Sequence, residues 1–474
     1  MQVLVASNRG PVSFRRAEDG TLTMRRGGGG LVSGLASVAS GTDLLWVCAA
    51  LSDDDRTAAR QDPEGRLDKA GHDTGAVRML DIPEKTFHRA YNSVANSTLW
   101  FIHHLLYATP TAPHFDAVFR RDWQAYTAYN AAFAGALGQD AEQGAKVVVQ
   151  DYHLALVPGM LREARPDLRI AHFSHTPWAP PAYFRLLPDD IGAALLEGML
   201  GADHLGFLCD RWAEAFLSCC DEILGARVDP VAGTVTHRGR TTRVGVHALG
   251  IDGPELRERA GRADVAERMA ALREQVGDRQ LLLRIDRTEL SKNIVRGLAA
   301  YWELLLNHPE WRGRVVHLAF AYPSRTDLAE YRAYTAEVER LAAEINDEFG
   351  TDDWTPLILE VKDDYARSLA AYQLADVLVV NPIRDGMNLV AKEGPVLSDK
   401  GCALVLSREA GAAAELSDDA LIVNPFDVSQ TAEMLNQALL LSPDDRKARA
   451  KRLSDAATAL PPTRWFAEQL AALD

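Results

Sequence analysis

Short runs of β-branched and apolar residues, separated by longer stretches with helical periodicity, recur along the whole chain. That alternation restricts the fold to parallel sheets covered by crossover helices, an α/β architecture. Strands are expected at 2–6, 44–49, 145–150, 169–174 and 204–209, then at 281–286, 315–320, 356–361, 376–381, 403–407 and 421–425, with a hairpin or edge strand over 233–249. At 474 residues the chain exceeds what one hydrophobic core usually supports, so two Rossmann-like domains are expected, 1–250 and 251–460. The junction falls in Ala248-Leu249-Gly250-Ile251-Asp252-Gly253-Pro254-Glu255, where Gly, Asp and Pro separate the hairpin from an amphipathic helix. Residues 461–474 open on Pro461-Pro462 and carry Trp465 and Phe466, which predicts a short helix packed back on the body.

Charge narrows the partners. With 51 Lys+Arg against 66 Asp+Glu the net charge is −15, which opposes general attraction to nucleic acid or to an anionic membrane. Phosphorylated small molecules are still open to it through local basic groups. The five cysteines are odd in number and scattered, without the paired spacing of a zinc site or a disulfide framework, which fits a reducing cytosol. The chain starts directly on a strand-like run with no secretory pattern, and no apolar run approaches the roughly 18–20 residues of a membrane span. A cytoplasmic protein is expected.

In open α/β sheets ligands bind beyond the carboxyl ends of the strands, so polar residues that follow strands are the candidates. Ser7-Asn8-Arg9-Gly10 follows the first strand, and Arg25 and Arg26 precede Gly27-Gly28-Gly29-Gly30, whose backbone could approach a phosphate closely or could equally form a surface loop. Tyr91, Asn92, Asn96 and Trp100 offer rings and amides suited to a sugar, although Trp100 in the core and Tyr91 half-buried is the simpler reading. Asp151 ends a strand in Asp151-Tyr152-His153, where a carboxylate can bind a hydroxyl or act as a base; with His153 it lacks a third metal ligand, so no metal is expected. His175 ends another strand in His175-Thr176-Pro177-Trp178, with catalytic and structural roles both open. Arg287 and Lys292 flank a strand-to-helix turn and could converge on a diphosphate as its charge develops. In Arg384-Asp385-Gly386-Met387-Asn388-Leu389-Val390-Ala391-Lys392-Glu393, Gly386 allows a tight turn, and the amides of Met387, Asn388 and Leu389 open a helix toward an anion. Asp385 and Glu393 are placed there to hold hydroxyls.

These segments, with AYNSVANSTLW, QDYHLALVP, EGMLGADHLGF, YPSRTD, FGTDDWTP and SREAGAAAEL, resemble the trehalose-6-phosphate synthases in family order over nearly the whole chain. The resemblance implies a GT-B fold, two Rossmann-like domains facing a central cleft, and a retaining, metal-independent glucosyl transfer to glucose-6-phosphate without a cofactor. It implies that Arg9, Tyr91, Trp100, Asp151 and Arg325 bind the acceptor, and that Asp151, His175, Arg287 and Lys292 act at the reaction centre. The donor would be held by Gly28, Gly29, Arg287, Lys292, Asp385, Gly386, Met387, Asn388, Leu389 and Glu393. The chain departs from the pattern in reading DRTELSKN for DRLDYxKG and NPIRDG for TPLRDG; Ser291-Lys292-Asn293 resembles relatives that use GDP-linked donors, so GDP-glucose is favoured over UDP-glucose. Two alternatives are a pseudo-glycosyltransferase joining a GDP-cyclitol to an amino-cyclitol phosphate, and a non-catalytic sugar-phosphate sensor. Oligomeric state is left open, a homo-oligomer included.

Overall fold

The computed structural model describes residues 2–26, 44–61, 66–67 and 76–474. They form two units, Met1–Leu249 with Pro462–Asp474, and Gly250–Pro461.

The first unit is built on strands β1 (Val3–Ser7), β2 (Val12–Arg16), β3 (Leu22–Arg26), β4 (Leu44–Ala49), β5 (Arg66–Leu67), β6 (Ala76–Leu80), β7 (Lys146–Gln150), β8 (Arg169–Phe173), β9 (His204–Phe207), β10 (Arg227–Asp229), β11 (Thr234–His237) and β12 (Arg240–Val246). Ten of them make one sheet, β10-β11-β12-β9-β8-β7-β1-β4-β6-β5, and β2 pairs with β3 as a separate hairpin. From β6 to β12 every pairing is parallel. The central strands β1 and β7 are buried along their whole length, as all-parallel strands covered on both faces must be. Chain order across the middle runs outward from β1 to β4 and β6 on one side, then back to β7, β8 and β9 on the other. The reversal lies between β1 and β7 and is the topological switch point, where a crevice opens beyond the strand ends.

The second unit carries β13 (Gln280–Arg287), β14 (Val315–Tyr322), β15 (Leu357–Glu360), β16 (Val377–Val380), β17 (Ala403–Ser407) and β18 (Leu421–Val423) in the order β15-β14-β13-β16-β17-β18. All of its pairings are parallel, and its switch point lies between β13 and β16. Its core joins Leu282, Val316, Val377 and Val405 of the sheet to Leu298 and Leu435 of the covering helices.

The segment 233–249 is a hairpin: β11 pairs antiparallel with β12, and β12 joins β9 in parallel. The last helix, Pro462–Ala471, belongs to the first unit. Trp465 and Phe466 are buried there, with the Trp465 ring edge-on to Phe173 of β8 at 5.0 Å and Lys146 Nζ donating to Asp474 Oδ1 at 2.6 Å. Among the described residues no helix is long and apolar enough to cross a membrane.

Candidate active site

At the first switch point β1 runs into Ser7, Asn8 and Arg9. Ser7 Oγ accepts from Trp46 Nε1 (2.7 Å) and donates to the Arg9 carbonyl (2.6 Å), while Asn8 Oδ1 accepts from Tyr129 OH (2.6 Å). These bonds fix the backbone and leave the Arg9 side chain exposed.

Across the switch point β7 ends on Asp151, whose backbone has φ 72° and ψ 168°. That region is close to glycine-only and costs of order 1–3 kcal/mol. Hydrogen bonds hold it there: Asp151 N–H donates to the Phe173 carbonyl (2.7 Å), and the Asp151 carbonyl accepts from His172 Nε2 (3.2 Å) and Leu154 N–H (3.1 Å). The effect is to turn the carboxylate toward two other predicted residues. Its Oδ1 accepts from His175 N–H (3.2 Å), and its Oδ2 lies 3.7 Å from His153 Nδ1. His153 stacks on Tyr91 (5.6 Å, 15° between planes), and Tyr152 packs at 6.0 Å from Trp100.

Tyr91 and Trp100 owe their placement to the helix between them. Over Arg89–Leu99 it is wound with i→i+5 bonds, Trp100 N–H reaching the Ala95 carbonyl. Such wide turns rotate side chains off the α-helical stripe and cluster at functional sites. Trp100 is partly exposed rather than a core residue, and its ring stacks on His104 at 3.8 Å.

His175 is partly exposed, but its ring packs against Phe173 (4.8 Å) and Trp465 (5.5 Å). Burial, with His172 second, pushes its pKa down to about 3, so the ring is neutral at ordinary pH. Nε2 lies 2.7 Å from Gln150 Oε1, which selects the tautomer that donates from Nε2 and leaves Nδ1 as an acceptor. Gln150 in turn meets Gln469 of the last helix at 3.5 Å. The structure thus brings Tyr91, Trp100, Asp151 and His175 together. Arg9 stands at the neighbouring strand end without a hydrogen bond or ion pair to them among the described residues. Gly28 and Gly29 lie outside the described residues.

At the second switch point the strand ends carry charge. Arg284, fully buried, joins the two sides: Nη1 donates to Asn381 Oδ1 after β16 (2.7 Å), Nη2 to the Lys292 carbonyl (2.5 Å), and Nε lies 2.9 Å from Asp286 Oδ2. Gly297 makes room for it, since a Cβ there would sit 2.2 Å from Arg284 Nη1. Lys292 Nζ donates to Asp385 Oδ2 at 2.6 Å and lies 4.0 Å from Asp286 Oδ1. Burial opposes its charge, but Asp385 and Asp286 outweigh burial and raise its pKa. Asp286 is pushed upward, by burial above all. Arg287 is more than half exposed and pairs with the buried Glu289 at 2.6 Å.

The left-handed residue of the following turn is Asn388 (φ 76°), and Gly386 does not adopt positive φ. Asn388 manages this because its amide replaces the missing backbone partners, Nδ2 donating to Asp385 Oδ2 (3.1 Å) and Oδ1 accepting from Ala391 N–H (3.2 Å). Gly386 serves another purpose: its carbonyl faces Gly411, where a Cβ would come within 1.9 Å. Gly411 N–H donates to the Asp385 carbonyl (3.1 Å) and Ala412 N–H to that of Met387 (2.8 Å), so the loop after β17 clamps the turn. Met387 is buried, Leu389 caps the helix Val390–Leu397, and Glu393 on that helix accepts from Tyr372 OH at 2.8 Å. Arg325, after β14, donates to Tyr331 OH (2.6 Å) and faces Glu289 at 3.6 Å.

Sequence reasoning found the cations and the turn, and missed Arg284, Asp286, Glu289, Asn381 and Gly411, which orient them. Charged residues at the buried end of an apolar strand, as in Leu282-Leu283-Arg284-Ile285-Asp286, are the signal that points to the first two.

The description Glycosyltransferase family 20 matches residues 1–474. Among curated relatives, an alpha,alpha-trehalose-phosphate synthase [UDP-forming] 2 of Aspergillus niger is 33% identical over 439 residues, covering 90% of this chain and 88% of its own. A bifunctional trehalose-6-phosphate synthase/phosphatase of Thermoproteus tenax is 34% identical, over 91% of this chain and 58% of its own. Among solved structures, an E. coli trehalose-6-phosphate protein bound with UDP-2-fluoro glucose superposes with TM-score 0.88 at 27% identity, covering 100% of this chain and 99% of that one. A UDP-forming alpha,alpha-trehalose-phosphate synthase from Burkholderia xenovorans in complex with glucose-6-phosphate gives 0.85 at 27%, with 100% and 99% covered. With two Rossmann-like units and these neighbours, the fold is GT-B, and the chain belongs to glycosyltransferase family 20, the family of the alpha,alpha-trehalose-phosphate synthases.

Proposed function

We propose that this chain transfers glucose, with retention, from a nucleoside-diphosphate glucose to glucose-6-phosphate, forming trehalose-6-phosphate. The observation that carries the reading is the second switch point, where Arg287 ends β13 and Lys292 follows it, and Lys292 is joined to Asp385 of the turn that follows the neighbouring β16. Lys292 has three N–H donors and spends one on Asp385, and Arg287 has five and spends one on Glu289; the others suit diphosphate oxygens. Asp385, Gly386, Met387, Asn388, Leu389 and Glu393 complete the donor site in residues 251–460.

Acceptor binding falls to residues 1–250. Tyr91 and Trp100 present rings to the sugar, Asp151 takes a hydroxyl, and Arg9 takes the phosphate; Arg325, in residues 251–460, is assigned to the acceptor as well. His175, neutral and accepting through Nδ1, reads a hydroxyl at the reaction centre. Retention follows front-face displacement: the leaving phosphate, its growing charge held by Arg287 and Lys292, accepts the proton of the attacking hydroxyl. Cytosolic residence belongs to the same reading, since all five cysteines are buried thiols.

The donor base is the finer question. Relatives named UDP-forming support UDP-glucose, and GDP-glucose has only Ser291-Lys292-Asn293 in its favour. The test is a panel of UDP-, GDP- and ADP-glucose and GDP-valienol with glucose-6-phosphate, the product identified by mass. Trehalose-6-phosphate from one glucose donor is the expected result. Coupling of GDP-valienol alone would make the chain a pseudo-glycosyltransferase, and ligand-induced stabilisation without any product would make it a sensor.

A further inference from the structure

Glu289 lies in a motif whose cations alone attracted attention in the sequence. Its side chain is fully buried where β13 and β14 end side by side, Arg287 in register with Tyr322. Three groups converge on it. Arg287 Nη1 lies 2.6 Å from Oε1, Ser324 Oγ donates to the same oxygen at 3.0 Å, and Arg325 Nη1 lies 3.6 Å from Oε2. Arg325 is brought back to it by a left-handed backbone (φ 46°) and is held from behind by Tyr331 OH.

A carboxylate out of water is costly unless paired, and removing one member of such a pair leaves an uncompensated charge. Burial pushes Glu289 upward, but Arg287, Arg325 and Lys292 together hold its pKa below the ordinary value, so it stays ionised. Two guanidiniums from two separate strand-end loops therefore face one fixed anion, Arg287 within hydrogen-bonding distance and Arg325 across 3.6 Å by charge alone.

We propose that Glu289 is a positioning residue that sets the spacing between Arg287, on the donor diphosphate, and Arg325, on the acceptor phosphate. The inference rests on the roles given to those two arginines under the proposed function. It assigns Glu289 no contact with either substrate: it acts only through the arginines.

Initial rates over a grid of glucose-6-phosphate and whichever of UDP-glucose or GDP-glucose the wild-type chain turns over test this. Glu289→Gln keeps the shape and removes the charge, and is expected to raise both KM values about ten-fold, the change that loss of one charge-assisted contact produces. In an Arg325→Ala background the same substitution should leave the acceptor KM within about two-fold of the Arg325→Ala value, because the group it acts through is gone. A merely structural role would carry the ten-fold penalty into that background, and that result overturns the proposal. If Glu289→Gln fails to fold, Ser324→Ala, which removes one of the two donors on Oε1 and loosens the carboxylate, carries the test with a shift of about three-fold in the same direction, and no shift overturns it. Should Arg325→Ala and Arg287→Ala themselves leave both KM values unchanged, the assigned arginine roles fail instead; intact arginine effects with silent Glu289 and Ser324 variants sink this inference alone.

Discussion

At the first switch point the strand ends carry rings, and at the second they carry ion pairs. Tyr91, Trp100, Tyr152, His153 and His175 surround a single carboxylate, Asp151, in the first unit, whereas Arg284, Asp286, Arg287, Glu289, Lys292 and Asp385 interlock in the second. Both units have the same strand order through their centres, so topology alone opens both crevices and does not choose their ligands. Apolar ring faces beside the neutral His175 imidazole suit a sugar, and paired cations suit a diphosphate. The sharpest break of this comparison is to remove the charge from the second unit. Arg287→Ala with Lys292→Ala is expected to lower kcat by roughly 10⁴-fold or more, since each charged donor at a developing anion is worth about 10²–10³. Thermal unfolding should stay cooperative, and near-normal product from a folded double variant would remove the clamp from the mechanism.

Acid separates the units in a second way. In the first unit burial pushes His172 to about 4, His175 to about 3 and His204 to about 4, and lowers His247, while in the second it pushes His317 to about 3. A histidine held neutral in the fold takes a proton when unfolded below its ordinary 6.5, so its contribution is intact above that pH and is lost as pH falls toward the folded value. Each costs up to ~1.4 kcal/mol per pH unit across that window. In the second unit Asp286 and Glu393, raised by burial, take protons in the fold first and gain stability as pH falls, which offsets the losses from His317 and from Glu289, held ionised by its arginines. Hydrogen exchange at pH 7 and pH 5 should therefore show protection lost faster in β7–β9 than in β13–β17. Equal losses would show that the imidazoles do not govern the difference.

The strand pattern was legible because parallel strands buried on both faces are written as unbroken apolar runs, and 145–150 and 376–381 could hardly be anything else. Post-strand polar residues were legible for the same reason, since the strand ends are known once the strands are. The hairpin β2–β3 and strand β6 were not, because Ser13, Arg15, Arg16 and Arg78 interrupt the apolar period. Nor was the wound helix over Arg89–Leu99, whose i→i+5 bonding has no sequence periodicity of its own. The site's buried supports escaped for a different reason. Arg284 and Glu289 look like surface charges until the partners that bury them, Asn381 and Arg325, are brought from far along the chain. Gly411 illustrates the same limit, and it gives the next prediction. Gly411→Ala would set a Cβ against the Gly386 carbonyl, and displacing that turn is expected to raise the donor KM about ten- to a hundred-fold while leaving the acceptor KM within two-fold, since that Cβ would meet only the donor turn. A rise confined to the acceptor would reverse the assignment of the two units.

The smallest effect is the most selective. Glu393 is half-buried, and its desolvation raises its pKa; the O–H of Tyr372, donated at 2.8 Å, partly counteracts this by favouring the ionised form. Tyr372→Phe removes that bond and little else, so the Glu393 pKa moves further up. If the ionised carboxylate is what accepts from a donor hydroxyl, the acid limb of the donor kcat/KM profile shifts to higher pH, so that the loss grows as pH falls and vanishes on the alkaline side. Neither residue is assigned to the acceptor, so the acceptor KM should keep its wild-type pH dependence. A uniform loss across the pH range would mean that Tyr372 serves packing alone and that Glu393 does not bind the donor through its charge.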